Sequence, residues 1–236
     1  MIVDIDKTDP IPFAPRYDVC IAGGGFAGIT LAFRLARQKK RVLLLEAGGY
    51  DYSDASQAVY RGQNVGYSYH ELEFARLRFL GGTSGHWNGM CRPLDAHDFL
   101  KRDHIPDSGW PIRKADLDPY SEETRKILEI EPFPDFFVRK DSGGKFTEVD
   151  FRVSPPVRMG EKYRKPLEES AEIDVFLNAN LVEIAADPGN GRVTHFGFRG
   201  YGDGAPVHKA VADRYVLALG GIENARFLLT QGEKGV

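Results

Sequence analysis

The feature that most restricts the fold is Gly23-Gly24-Gly25-Phe26-Ala27-Gly28, set between a strand pattern and a helix pattern. Before it, Tyr17-Asp18-Val19-Cys20-Ile21-Ala22 is a short apolar run of the kind found in strands buried on both faces. After it, Phe26 to Gln38 reads as a helix, with Ile29, Ala32, Leu35 and Ala36 recurring at helical spacing. Arg41-Val42-Leu43-Leu44-Leu45-Glu46 then reads as a second strand, ended by Ala47-Gly48-Gly49. Strand, glycine turn, helix and strand in about thirty residues form a βαβ unit with parallel strands.

Gly23, Gly25 and Gly28 hold the key places of a G-x-G-x-x-G turn. In such a turn the first glycine permits the tight bend and the second lets backbone approach a pyrophosphate. The third lets the helix pack closely on the strand. The helix dipole and its unpaired N–H groups then face the phosphate charge. Glu46 follows Gly28 by eighteen residues at the end of the second strand, where a carboxylate can accept hydrogen bonds from both ribose hydroxyls of an adenosine. It would repel a 2′-phosphate, which argues against NADP. These residues by themselves do not separate FAD from NAD.

Further along, residues 50–76 are polar and tyrosine-rich without a clear period, and read as an excursion or loop. Residues 116–130 read as an amphipathic helix, and 132–160, rich in Pro, Gly and charge, as irregular structure. Order returns with strands at Val175–Leu177 and Leu181–Ile184 around a turn, and at Arg192–Arg199. Pro188-Gly189-Asn190-Gly191 suggests a hairpin between the last two. Tyr215–Leu219 reads as a buried strand, broken by Gly220-Gly221, and Ile222–Leu229 as a helix.

The 31 basic and 34 acidic residues leave a net charge of −3, which gives no reason to expect a nucleic acid or an anionic membrane as partner. No apolar run is long enough to span a bilayer, and the N-terminus lacks the pattern of a signal peptide, so a cytoplasmic address is the default expectation. Cys20 and Cys91 are too few and too far apart for a metal site or a disulfide framework. Cys20 is expected to pack as a small hydrophobe, and Cys91 is placed to lie near a cofactor. The histidines at 70, 97, 104, 195 and 208 show no metal-ligand spacing, so no metal is expected.

A second glycine loop carries a resemblance. Arg78-Phe79-Leu80-Gly81-Gly82-Thr83-Ser84-Gly85-His86-Trp87-Asn88-Gly89 resembles the loop with which glucose-methanol-choline (GMC) oxidoreductases cover their flavin. Asp107-Ser108-Gly109-Trp110-Pro111-Ile112 is similar to a segment that follows it in many bacterial members. Ala218-Leu219-Gly220-Gly221-Ile222-Glu223-Asn224-Ala225-Arg226 resembles the strand and helix that return to the FAD site. With the first glycine turn, these segments run from residue 17 to 229 in the family's order.

The resemblance implies an α/β fold: a Rossmann-type FAD-binding domain with an antiparallel hairpin insertion and part of a substrate-domain region. The Rossmann core would cover about 15–50 and 174–232, the flavin-covering loop about 76–95, and the substrate-side region about 96–173. It implies that Gly81, Gly82, Ser84, Asn88 and Gly89 line the flavin and pyrophosphate, and that Val182 meets the adenine through its backbone. His86 stands where pyranose-oxidase-like and choline-oxidase-like members bond a histidine covalently to the flavin, and His86-Trp87 looks most like the pyranose oxidase version. The implied reaction is oxidation of an alcohol or sugar hydroxyl to a carbonyl. The family's catalytic histidine lies in a C-terminal half to which no residue here corresponds. The expectation is therefore a fragment, or one subunit of a split enzyme, completed by that half or by a partner. A non-catalytic remnant that binds FAD or a protein is the alternative.

Overall fold

The computed structural model describes residues 1–132, 138–140 and 147–232. Two compact units emerge: residues 1–86 with the described part of 158–236, and residues 87–157. In chain order the first holds β1 (Ile2–Asp4), β2 (Tyr17–Ala22), α1 (Phe26–Arg37), β3 (Val42–Leu45), α2 (Asp54–Ala58) and α3 (Leu72–Ala75). The second holds β4 (Met90–Cys91), α4 (Lys114–Leu117), α5 (Ser121–Leu128), β5 (Val138–Lys140), β6 (Thr147–Val149) and β7 (Arg152–Val153). The chain then returns to the first unit with α6 (Met159–Glu169), β8 (Ile173–Leu177), β9 (Asn180–Ala186), β10 (Val193–Arg199), β11 (His208–Ala210), β12 (Ala212–Leu217) and α7 (Gly221–Gly232).

The first unit is built on a five-stranded sheet in the order β1-β8-β3-β2-β12. All four of its pairings are parallel. Every residue of β3 and β8 is buried, because helices and a second sheet cover both faces. On one face α1 packs through Ile29, Ala32 and Ala36 against β2, β3 and β8, beside α6 with its buried Met159 and Leu167. On the other lies the antiparallel sheet β11-β10-β9. Phe176, Phe196, Phe198 and Phe227 meet in the core between, and each fully buried ring contributes about 2–3 kcal/mol. Here the α/β fold class and the antiparallel hairpin both appear as the sequence implies.

Several local expectations need correction. Two short helices, α2 and α3, interrupt the stretch 50–76 that reads as loop. The single helix expected over 116–130 is broken into α4, a 3-10 turn at Asp118–Tyr120 and α5, because Pro119 cannot donate a backbone bond. α6 lies partly in the stretch read as irregular; of that stretch, 133–137 and 141–146 lie outside the described residues. The strands expected on either side of Asn178 both appear, β8 in the parallel sheet and β9 in the antiparallel one. β12 is not fully buried, because it is the sheet's edge strand.

In the second unit β4 pairs antiparallel with β7, and β5 with β6. Asp95, His97 and Asp98 converge to within 4.8 Å there, but Asp95 and Asp98 already form the capping box of a 3-10 turn. Cys91 lies in this unit and Cys20 in the core of the other; burial pushes both thiols up. No helix among the described residues is long and apolar enough to cross a membrane.

Candidate functional site: a cofactor cavity at the ends of the parallel strands

The glycine turn connects β2 to α1 at the end of the sheet. Gly23 sits at φ +109°, and a Cβ on it would lie 2.3 Å from the carbonyl oxygen of Ala218. A Cβ on Gly28 would lie 1.8 Å from the Gly23 carbonyl oxygen, so only glycine lets α1 rest on the turn. Gly25 differs: a Cβ there would meet no protein atom within 4 Å. Gly25 is also the N-cap of α1, which has no side-chain cap and no acidic residue in its first turn. An uncapped helix head facing open space is where an anion is best received.

Glu46 is buried beside this turn. Its Oε2 accepts the Gly24 N–H and its Oε1 accepts the Gly48 N–H, both at 2.8 Å. Burial pushes its carboxyl up, against the opposing pull of those N–H groups and the Arg78 charge. The two bonds tie the end of β3 to the glycine turn, and each oxygen keeps an acceptor site for a ligand hydroxyl. A cavity of about 570 Å³ opens here, bounded by the glycine turn, Glu46, Arg78, Gly82, Leu181 and the head of α7. Its size and its place at the carboxyl ends of parallel strands suit a cofactor.

The second glycine loop is held against the first. Gly81 N–H donates to the Gly24 carbonyl at 2.8 Å, and Leu80 N–H to the Gly49 carbonyl at 2.9 Å. Gly81 has φ +95°, and a Cβ on it would lie 2.4 Å from the Gly160 nitrogen at the start of α6. Ser84 is fully buried; its hydroxyl donates to the Gly81 carbonyl at 2.7 Å and accepts the Met159 N–H at 2.9 Å. His86 caps the 3-10 turn Gly82–Gly85 and is exposed, its N–H donating to the Thr83 carbonyl at 3.2 Å.

Of the predicted residues, Gly23, Gly25, Glu46 and Gly82 line the one cavity. Gly28, Gly81 and Ser84 stand behind its wall, where they set backbone positions. Val182 adjoins the lining residue Leu181. The β9–β10 register steps from Leu181↔Phe198 to Glu183↔Gly197, which makes Val182 the extra residue of a β-bulge. Asn88 and Gly89 belong to the second unit. There Asn88 Oδ1 accepts the Met90 N–H, and Gly89, at φ +83°, pairs with Ser154.

Sequence reasoning missed the cationic part of the cavity. Arg76 pairs with the buried Glu223 of α7 at 2.6 Å and lies over the Tyr60 ring at 4.1 Å. Arg78 donates to Asn180 Oδ1 at 2.8 Å and to the Tyr201 hydroxyl. Burial, with the Glu46 charge, pushes Tyr60 up to about 12. The available signal is Arg76-Leu77-Arg78, since alternate residues of an extended run share a face.

The sequence profile described as "DAO: FAD dependent oxidoreductase" matches residues 18–224, from β2 into the head of α7. The chain belongs to this FAD-dependent oxidoreductase family. Its cofactor is accordingly FAD, and the cavity fits that group: open space before an uncapped helix head, a buried carboxylate for the ribose, and Arg78 in the wall. Solved structures match this FAD-dependent oxidoreductase in fold. A pyridoxine 4-oxidase from Mesorbium loti aligns with TM-score 0.57 and 16% identity over 90% of this chain and 51% of that one. A fungal aryl-alcohol oxidase aligns with TM-score 0.55 and 14% identity over 88% and 46%. A formate oxidase aligns with TM-score 0.51 and 15% identity over 92% and 48%. The chain spans about half the length of each. No curated protein matches it in sequence.

Proposed function

We propose that this chain is the FAD-holding half of a GMC-type oxidoreductase that converts an alcohol or sugar hydroxyl to a carbonyl. The observation that carries the reading is the cavity in which the uncapped head of α1 and the buried Glu46 carboxylate face common open space. The chemistry that FAD supplies when bound is acceptance of a hydride from the carbon that bears the hydroxyl.

The chain's own residues hold and orient that cofactor. N–H groups at the head of α1 receive the pyrophosphate, and Glu46 accepts the ribose hydroxyls while excluding a 2′-phosphate. The bulge at Val182 turns backbone toward the adenine. The loop Gly81–Gly89 lies over the flavin, with Ser84 fixing its path. The exposed His86 side chain is the point of covalent attachment. The group that takes the hydroxyl proton comes from a C-terminal half or partner subunit. Three features of the second loop in which the chain resembles the GMC family support the reading: its double glycine, its His86-Trp87 pair and its order in the chain.

The test is the intact mass, under denaturing conditions, of the protein from its native source, with an absorbance spectrum. A flavin spectrum with added FAD mass that disappears in His86→Ala is the expected result. A colourless protein that takes up no FAD would overturn the cofactor role. Turnover of simple alcohols without any sugar turnover would remove the sugar branch.

A further inference from the structure

Tyr60, half-buried just past α2, lines the cavity together with Glu46 and the apolar Ala179, Leu181, Leu217 and Leu219. Its hydroxyl has no hydrogen-bond partner among the described residues. The phenols of Tyr17, Tyr201 and Tyr215 in the same unit each donate to an oxygen, as packed phenols usually do. Because burial and the Glu46 charge push the Tyr60 phenol up to about 12, it keeps its proton at neutral pH and is a donor.

The ring is fixed by its neighbours. Arg76 lies over it at 4.1 Å and Arg78 at 5.6 Å. All three nitrogens of Arg76 donate within the protein: Nε to the Leu72 carbonyl at 3.3 Å, Nη1 to Glu223 at 2.6 Å and Nη2 to the Tyr60 carbonyl at 3.5 Å. Gln57 completes the hold. Its carbonyl accepts the Tyr60 N–H at 3.0 Å, and its side chain accepts the Arg78 N–H at 3.1 Å and donates to the Arg76 carbonyl at 2.6 Å. A ring restrained in this way loses little freedom when a ligand meets it.

The neighbours also say which end of a dinucleotide the ring would meet. In the proposed function the head of α1 receives the pyrophosphate and Glu46 the ribose of the adenosine. Tyr60 stands at the Glu46 end: the Glu46 charge bears on its phenol, and Arg78 beside its ring reaches the Ala47 carbonyl at 3.5 Å. An apolar lining with one aromatic ring and one free donor suits adenosine, whose base has a flat π-face and acceptor nitrogens on its edge.

We propose that Tyr60 recognises the adenosine end of FAD, its ring packing on the nucleoside and its hydroxyl donating to one of the nucleoside's acceptor atoms. The inference rests on the proposed reading of the cavity as the FAD site. Binding to the flavin-free 236-residue chain tests it, with FAD followed by flavin fluorescence and ADP, which carries the adenosine and pyrophosphate alone, by calorimetry. Tyr60→Phe removes only the hydroxyl and should weaken ADP and FAD alike, by about 3–10-fold. Tyr60→Leu removes the ring as well and should weaken both by at least about 20-fold. Parent-like ADP binding by either variant would overturn the proposal, even if FAD binding fell, because the contact would then lie at the flavin end. Tyr60→Phe keeps the ring and its packing, so a folding defect in Tyr60→Leu, seen by circular dichroism, leaves the test intact. A parent chain that binds neither FAD nor ADP fails the functional reading, whereas a parent that binds FAD while both variants match it fails only this inference.

Discussion

At the scale of the residue, two glycines three positions apart answer to different demands. Gly28 is required by the protein itself, since a methyl group would run into the Gly23 carbonyl. Gly28→Ala should destabilise the apo protein by at least about 3 kcal/mol, measured by denaturant unfolding. Nothing in the protein demands Gly25, where a Cβ would meet open space, and under the proposed function the demand comes from the ligand. Gly25→Ala should leave apo stability within about 0.5 kcal/mol yet weaken FAD binding at least about tenfold, read by fluorescence titration. Equal behaviour of the two variants would contradict this division. The buried Glu46 makes a pH prediction. Its folded carboxyl lies above the unfolded value, so its contribution is full below the unfolded pKa and is lost as pH rises through the folded one. Glu223 has the opposite sign: burial opposes it, but Arg226 and Arg76 hold it low, so its contribution is lost as pH falls. Thermal unfolding of the apo protein across pH should show Glu46→Gln removing the alkaline-side loss and Glu223→Gln the acid-side loss. Either variant tracking the parent at every pH would refute its share.

At the scale of the element, α6 shows how packing overrides local preference. Pro166 lies inside it and its sequence is strongly polar, with Met159, Tyr163 and Leu167 as its few apolar points, four residues apart. Met159 and Leu167 are nevertheless fully buried, Tyr163 meets Phe33 of α1 at 5.2 Å, and this face holds the helix in place. The head of α6 also supports the second glycine loop through Ser84. Removing that hydroxyl takes away the acceptor of Met159 N–H. Ser84→Ala should therefore cost about 1–3 kcal/mol of unfolding free energy while leaving the bound flavin spectrum unchanged. A changed spectrum at unchanged stability would instead make Ser84 a direct flavin contact.

At the scale of the whole molecule, the second unit is an excursion from the first. The Ser84 hydroxyl and the Met159 N–H, 2.9 Å apart, bring the two ends of the excursion together. Replacing residues 87–157 by a short Gly/Ser linker should leave the first unit cooperatively folded and able to bind FAD, because closing a short loop is cheap. Loss of a cooperative transition by circular dichroism would show that the first unit depends on the excised segment. The amino-acid sequence by itself determined the βαβ start, its glycine turn, the place of Glu46 at the end of the second strand and the β9–β10 hairpin. Each rests on neighbours within about thirty residues, where periodicity and turn chemistry are decisive. Only the tertiary structure decided that Arg76 and Arg78 face the cavity, that the Ser84 hydroxyl joins Gly81 to Met159, and that Asn88 and Gly89 fall in the second unit. It also decided that Val182 is a bulge and β12 an edge. Those outcomes depend on contacts between distant residues, such as Arg76 with Glu223, 147 positions apart, and Ser84 with Met159, 75 apart. No local pattern encodes a partner at that distance; packing selects it once the sheet is assembled.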